Sequence, residues 1–305
     1  MRSKLSLWAE EVRAPFFTAS IVPVLLGSVV AWAREDAFHW GFFLLALLGG
    51  VLLHAGTNVA NDYYDHLSGT DEANVTFVRP FTGGSRMIQR GLLQPREVLT
   101  GALILFAAAA LIGLYLALTR GPWLWVLGVV GIFSGFFYTA PPFRIAATGL
   151  GELLVGLNFG VLMTLGAFYV QTKELAWEPV IAAIPVSLLI AGVLYINQFQ
   201  DMEADASAGK DHLVVRLGRR RGVWLYEAIL AATYLAIIVS VAAGAVSPFA
   251  LLALPTALIA LQAVRTARRH YDDYLKLAPA NASQVMIHML AGLLLTLGYL
   301  LEGAV

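Results

Sequence analysis

The sequence predicts an all-α polytopic membrane protein: one transmembrane domain over residues 1–305, with nine membrane helices and a cytoplasmic N-terminus. Three observations carry this. Hydrophobic residues make up 59% of the chain and charged residues 13%, against about 45–50% and about 25% in soluble domains. The apolar residues fall in runs of roughly 20, the length that crosses a bilayer core. Lys and Arg concentrate in alternate connections, as the positive-inside bias demands.

The runs follow in order. Residues 14–33 come after Arg2, Lys4, Glu10 and Glu11 and show no cleavage site behind them, so they read as a membrane helix and not a cleaved signal. Further runs cover 40–61, 97–119, 122–138, 148–171, 178–200, 222–244, 247–268 and 283–302. They are apolar nearly all round, so length and not periodicity places them. Gly121-Pro122 and Ser247-Pro248 separate runs that meet at tight turns. With the N-terminus inside, seventeen of the 20 basic residues lie in cytoplasmic segments, and only Arg34, Arg120 and Lys173 lie outside. A wrong helix count would mix the two sides.

The formal net charge is zero, which argues against a nucleic-acid partner. There are no cysteines, so disulfides, thiolate metal sites and a cysteine nucleophile are excluded.

On this topology the connections after the second and sixth spans share the cytoplasmic mouth, and both are acidic. The first motif places Asn58, Asn61, Asp62 and Asp65 at i, i+3, i+4 and i+7, with Asp71 following. The second places Asn197, Asp201 and Asp205 at i, i+4 and i+8. On helices each set forms one stripe. A single acid at a span end commonly just solvates it. Two stripes of amides and carboxylates on the same side repel unless a cation joins them. Oxygen-only ligands favour Mg²⁺, which takes one or two carboxylates and completes its shell with phosphate and water. Facing columns suit two Mg²⁺ holding one diphosphate. Asn61, Asp62, Asp65, Asp71, Asn197, Asp201 and Asp205 are the candidate ligands, and Glu203 points off its stripe.

Basic residues follow both motifs. Arg79, Arg86 and Lys210 are candidates for binding a departing diphosphate. Gly83-Gly84 lets backbone N–H groups approach an anion. Arg86 serves equally as a positive-inside residue, and Arg219-Arg220-Arg221 reads as a membrane-surface anchor.

At these motifs the chain resembles the UbiA-type intramembrane prenyltransferases. Asn61-Asp62-x-x-Asp65, Asp201-x-x-x-Asp205 and Arg79-Pro80 with a following glycine match that family's elements, and the resemblance spans nearly the whole chain. Many members carry a third acid four residues after the first motif. Here that position is Gly69, with Asp71 two residues later. This form, with Ile88 to Leu92, Tyr138 to Pro142, Gly149 to Glu152, Tyr169 to Thr172 and Gly209 to Gly218, resembles the branch that prenylates 1,4-dihydroxy-2-naphthoate for menaquinone.

The resemblance implies a polyprenyl diphosphate donor, Mg²⁺ (with Mn²⁺ able to substitute) and an aromatic acid acceptor, in the membrane lipid. Asp65, Asp201 and Asp205 then act at the reacting centre. An allylic cation needs π faces and no water, for which Tyr138 and Tyr195 stand out near the cytoplasmic ends of spans. Arg144 suits an acceptor carboxylate, or is a topology signal. His54 and His288 inside spans touch substrate or simply pack. The competing classes are a secondary transporter, whose acids would lie nearer the midplane, and a phosphatidyltransferase, which would want one contiguous motif. Within the family, 4-hydroxybenzoate, a chlorin, haem or a glycerol phosphate lipid are alternative acceptors.

Overall fold

The computed structural model describes residues 3–304, so Arg2 of the charge pattern lies outside the described residues. Among these the chain is entirely helical. A short surface helix, α1 (Lys4–Glu11), precedes a 3₁₀ turn and α2 (Thr18–Glu35). Then come α3 (Trp40–Ser68), the single turn α4 (Thr70–Ala73), α5 (Pro95–Arg120) and α6 (Trp123–Phe136). α7 (Gly151–Gly156) and α8 (Met163–Thr172) form one helix interrupted by a π turn over Leu157–Leu162. α9 (Trp177–Ser207), α10 (Leu213–Ala242), α11 (Ala257–His270) and α12 (Tyr274–Gly303) complete the bundle, with a 3₁₀ stretch leading into α11.

Eight of these helical segments are long and apolar enough to cross a membrane, and the protein is a multi-pass membrane protein. The expected fourth span is shorter. α6 has 14 residues, about 21 Å at the α-helical rise, against a hydrocarbon core of about 30 Å. Its composition is apolar throughout, and Gly121-Pro122 and the Phe137–Phe143 stretch cut the helix at both ends.

The local signals explain the boundaries. α5 begins with Pro95 behind a capping box between Gln94 and Glu97. α3 stops at Gly69, whose φ of +77° suits a residue without Cβ. The sixth expected span began at 178 and ended at 200, yet α9 continues to Ser207. α3 likewise runs seven residues past its expected end, because the acidic stripes are themselves helical. α10 begins before the expected 222–244 run, with a kink at Gly218 between its two pieces.

Each motif helix packs most extensively on the next long helix, α3 on α5 and α9 on α10, while α2 packs against α8, α12 and α3. The main core joins α2, α9, α10 and α12 through Leu26, Leu189, Tyr226 and Ile287. Helices α3 and α9 are thereby held with their acidic ends at one end of a shared cavity.

Candidate active site

A single face of α3 lines the cavity: Ala46, Gly49, Gly50, Leu53, His54, Thr57, Asn58, Asn61 and Asp65. These positions recur at helical spacing, and their span is about 28 Å along the axis. α9 contributes Ile190, Val193, Leu194, Asn197, Asp201 and Asp205 from the other side. The cavity has a volume of about 490 Å³. Its acidic end holds Asp65, Asp71, Asp201, Asp205 and Lys210, and its remainder is mostly apolar, with Phe16, Trp125, Tyr138 and Phe159 on the wall. The π turn supplies Asn158 and Phe159 to this wall.

Lys210 ties the two motifs together. Its Nζ lies 2.9 Å from Asp65 Oδ1 and 2.9 Å from Asp205 Oδ1. Burial opposes its charge, and the two carboxylates outweigh that and raise its pKa above the usual lysine value. Asp65 Oδ2 accepts from Asn61 Nδ2 at 2.9 Å. Asp205 Oδ2 lies 3.0 Å from His212 Nε2. His212 Nδ1 accepts from the Val215 N–H at 3.4 Å, so the proton sits on Nε2.

The loop after α4 also crosses to the second motif. Asn74 Nδ2 donates to Asp201 Oδ1 at 2.6 Å. The Thr76 N–H donates to Asn74 Oδ1 at 3.2 Å, which fixes this amide's orientation. Asp71 is buried, and burial pushes its carboxyl up to about 7, with the Asp65 charge adding to the shift.

Five expected contact residues, Asp62, Arg79, Arg86, Tyr195 and Arg144, are placed off the cavity wall. Asp62 accepts from the Arg13 guanidinium through Oδ1 and from the Ser85 N–H through Oδ2 at 2.9 Å, so it braces the loop instead of joining Asp65. Arg79 binds Glu10 and the Ser85 carbonyl. Arg86 donates to the carbonyls of Asp71 and Asn74 and stacks on Phe77. Tyr195 is fully buried against α10 and donates to the Gly222 carbonyl at 3.0 Å. Arg79 and Arg86 are thus engaged by backbone carbonyls, and Arg79 also by an acid outside the cavity lining. Arg144 lines a small side crevice with Tyr64, Tyr138 and Lys210. Glu203 is off the stripe and pairs with Arg219 at the surface.

Sequence reasoning counted Arg13 only as a topology residue. It lines the cavity and donates to Asn61 Oδ1 at 3.1 Å. It belongs to an N-terminal clamp in which Glu11 accepts from Ser85 Oγ and Asn58 donates to the Val12 carbonyl. Gly84 lies where they converge. Its φ is +68°, and a Cβ there would stand 2.9 Å from Asp62 Oδ1, which gives its glycine a steric reason. His54 lines the cavity and contacts Ser20 Oγ at 2.9 Å, whereas His288 does not line it.

Among the described residues, no three His, Asp or Glu side chains form a ready metal cluster. The donors at the acidic end are nonetheless all oxygens, shared between two helices. That fits Mg²⁺, which needs only one or two carboxylates per ion.

The model of the UbiA prenyltransferase family matches residues 20–296. The chain is 30% identical over 298 residues, covering 97% of it and 92% of the relative, to a 1,4-dihydroxy-2-naphthoate octaprenyltransferase of Bacillus subtilis. It is 36% identical over 262 residues, 86% of it and 87% of the relative, to the enzyme of the same name from Mycobacterium tuberculosis. A UbiA homolog from Archaeoglobus fulgidus bound to DMAPP and Mg²⁺ shares the fold, with a TM-score of 0.65 at 16% identity over 94% of this chain and 98% of that one. These matches set aside the transporter and phosphatidyltransferase readings: the chain belongs to the UbiA prenyltransferase family, an intramembrane transferase with relatives in the naphthoate branch.

Proposed function

We propose that this enzyme transfers a polyprenyl group from a polyprenyl diphosphate to 1,4-dihydroxy-2-naphthoate, the prenylation step of menaquinone biosynthesis. The observation that carries the reading is one cavity joining both acidic columns to a long apolar groove. A diphosphate belongs at the first end and an isoprenoid tail along the second. The names of the relatives support the acceptor. The whole chain acts as one transmembrane domain of nine crossings, α6 being the short one. Its N-terminus and acidic mouth face the cytoplasm in this reading, which the Lys and Arg distribution supports.

Asp65 and Asp71 from the first motif and Asp201 and Asp205 from the second would hold Mg²⁺, two ions in all, with Mn²⁺ as a substitute. The metal supplies Lewis-acid neutralisation of the leaving diphosphate. Lys210 and Arg13 line the same end and donate to its oxygens. The Gly83-Gly84 backbone lines it too and lets an anion approach closely. As the carbon–oxygen bond of the donor breaks, Tyr138 and Phe159 offer π faces to the allylic cation. The apolar lining excludes water, which would otherwise capture that cation. The electron-rich acceptor ring then forms the new carbon–carbon bond, and the diphosphate carries away the electrons of the broken carbon–oxygen bond. The attacked ring carbon regains aromaticity by losing its substituent, as a proton to a carboxylate or diphosphate oxygen or as carbon dioxide. Arg144, in the crevice beside Tyr138, receives the acceptor carboxylate.

Direct competition tests this. Purified protein receives equal dihydroxynaphthoate and 4-hydroxybenzoate with one polyprenyl diphosphate and Mg²⁺, and products are identified by mass. The naphthoate product should predominate. A mainly hydroxybenzoate product would overturn the acceptor but leave prenyl transfer standing. No prenylated aromatic product, with the donor bound, would point to a lipid-phosphate acceptor.

A further inference from the structure

We propose that Asn197 turns its amide N–H₂, and not its carbonyl oxygen, toward the cavity and donates to the anionic diphosphate end of the substrate, with Asn281 of α12 setting that orientation. The inference rests on the prenyl diphosphate reading above and changes the role expected for Asn197 from metal ligand to anion donor.

The argument begins at a group that cannot flip. The Tyr274 backbone carbonyl only accepts hydrogen bonds, so the Gln200 side-chain atom 3.0 Å from it is Nε2. The same nitrogen donates to Asn281 Oδ1 at 2.9 Å, and Asn281 Nδ2 donates back to Gln200 Oε1 at 3.0 Å. This reciprocal amide pair has one orientation once Gln200 is fixed. The second hydrogen of Asn281 Nδ2 goes to Asn197 at 2.7 Å, and the atom that receives it is Oδ1. Gln200 and Asn281 are both buried, at 1% and 0% exposure, so water does not compete for these bonds.

Asn197 is the end of the chain and the only one of the three amides on the cavity wall. Its oxygen is turned to α12, and its Nδ2 has no protein partner among the described residues. Rotating the amide to offer the oxygen would set Nδ2 of Asn197 against Nδ2 of Asn281, donor against donor, in a buried place where an unmet polar group is costly. The linked bonds also polarise one another, which makes the terminal N–H₂ a better donor to an anion. Asp201, one turn further along α9, already supplies carboxylate oxygen to the same end of the cavity. The column therefore presents acceptor and donor side by side: acids for a cation, an amide N–H₂ for the anion that the cation carries.

The test separates the two ligands and reads binding by calorimetry on the full-length protein in detergent micelles. Mg²⁺ is titrated alone, and inorganic pyrophosphate is titrated at saturating Mg²⁺. Asn197→Asp keeps the volume and replaces the donor with an acceptor. Pyrophosphate affinity should fall by at least about tenfold, with Mg²⁺ affinity equal or tighter. Asn197→Leu should keep Mg²⁺ affinity within about threefold and lose pyrophosphate affinity. Asn281→Asp accepts only, so it draws Nδ2 of Asn197 toward itself and turns the oxygen to the cavity. It should weaken pyrophosphate binding without weakening Mg²⁺ binding, although residue 281 is off the cavity wall. A merely structural role would lower thermal stability without separating the ligands. If Asn281→Asp does not fold, the two Asn197 variants decide. Wild-type pyrophosphate affinity in Asn197→Asp, or about tenfold loss of Mg²⁺ affinity in Asn197→Leu, overturns the inference. Failure of the unmodified protein to bind pyrophosphate with Mg²⁺ overturns the proposed function itself, and this inference with it.

Discussion

The ammonium of Lys210 lies 2.9 Å from the Asp65 carboxylate, so the loop behind the second acidic motif closes on the first. Asp205 holds the same ammonium from the other side. One largely buried cation thus joins α3 to α9 at the end of the cavity where both carboxylates would otherwise repel.

Replacing Lys210 with Met should therefore act twice. Breaking a buried ion pair from one side costs on the order of 3 kcal/mol, so the metal-free protein should melt at a lower temperature. Added Mg²⁺ should restore most of the loss, because it neutralises the same carboxylates. Turnover should remain low with Mg²⁺ present, since the diphosphate has lost a donor. A metal-free melting temperature equal to that of the unmodified protein would refute the bridging role.

Asp65→Asn and Asp201→Asn keep side-chain size and remove charge. Each should reduce turnover by about 100-fold or more, the scale of losing a charged group at a reacting centre, while the protein stays folded and extractable. Glu203→Gln should change the rate by less than about threefold, because Glu203 pairs with Arg219 at the surface. The opposite ranking would mean that the stripe assigned to α9 is rotated.

Removing divalent metal with a chelator should abolish product formation, and Mg²⁺ or Mn²⁺ should restore it. The pH dependence follows from Asp71, whose carboxyl rises from 3.8 to about 7 without metal. Being raised, it favours the folded protein below pH 3.8 and loses that contribution as pH climbs to 7. Metal binding needs the ionised form and releases the proton. Mg²⁺ affinity measured by calorimetry should consequently rise from pH 6 to pH 8, with proton release that shrinks over the same range. An Asp71→Asn variant should weaken that dependence.

Arg13→Gln tests the N-terminal clamp. The change removes the charge facing Asp62 and a donor at the cavity mouth. Turnover should fall by roughly 10- to 100-fold, with a higher KM for the prenyl diphosphate. Lys4→Gln, whose 3.9 Å pair with Glu97 is exposed, should be neutral within about twofold. Equal, small effects of both changes would refute a role for the N-terminal clamp at the cavity.

The helical stripes were legible because their geometry is local. A residue's neighbours four positions away on a helix are set by its own backbone, so Asp201 and Asp205 had to share a face once α9 was helical. The same reasoning misplaced Asp62. Its spacing allowed it on the stripe with Asn61 and Asp65, but Arg13 and the Ser85 N–H, from two distant segments, draw it aside. Tyr195 failed likewise: its position near a helix end suggested the cavity, and the packing of α10 turned it into the core.

By itself the sequence determined eight of the long apolar helices, the two acid-bearing helical stripes and the family resemblance, since all of these depend on composition and short-range spacing. Only the tertiary structure decided which way each column faces and who holds it. Lys210 between Asp65 and Asp205, Asn74 on Asp201, and Asn281 behind Asn197 are contacts between separate helices and loops. Their existence depends on helix rotation and loop path, which the packing of the whole bundle sets and no local pattern encodes.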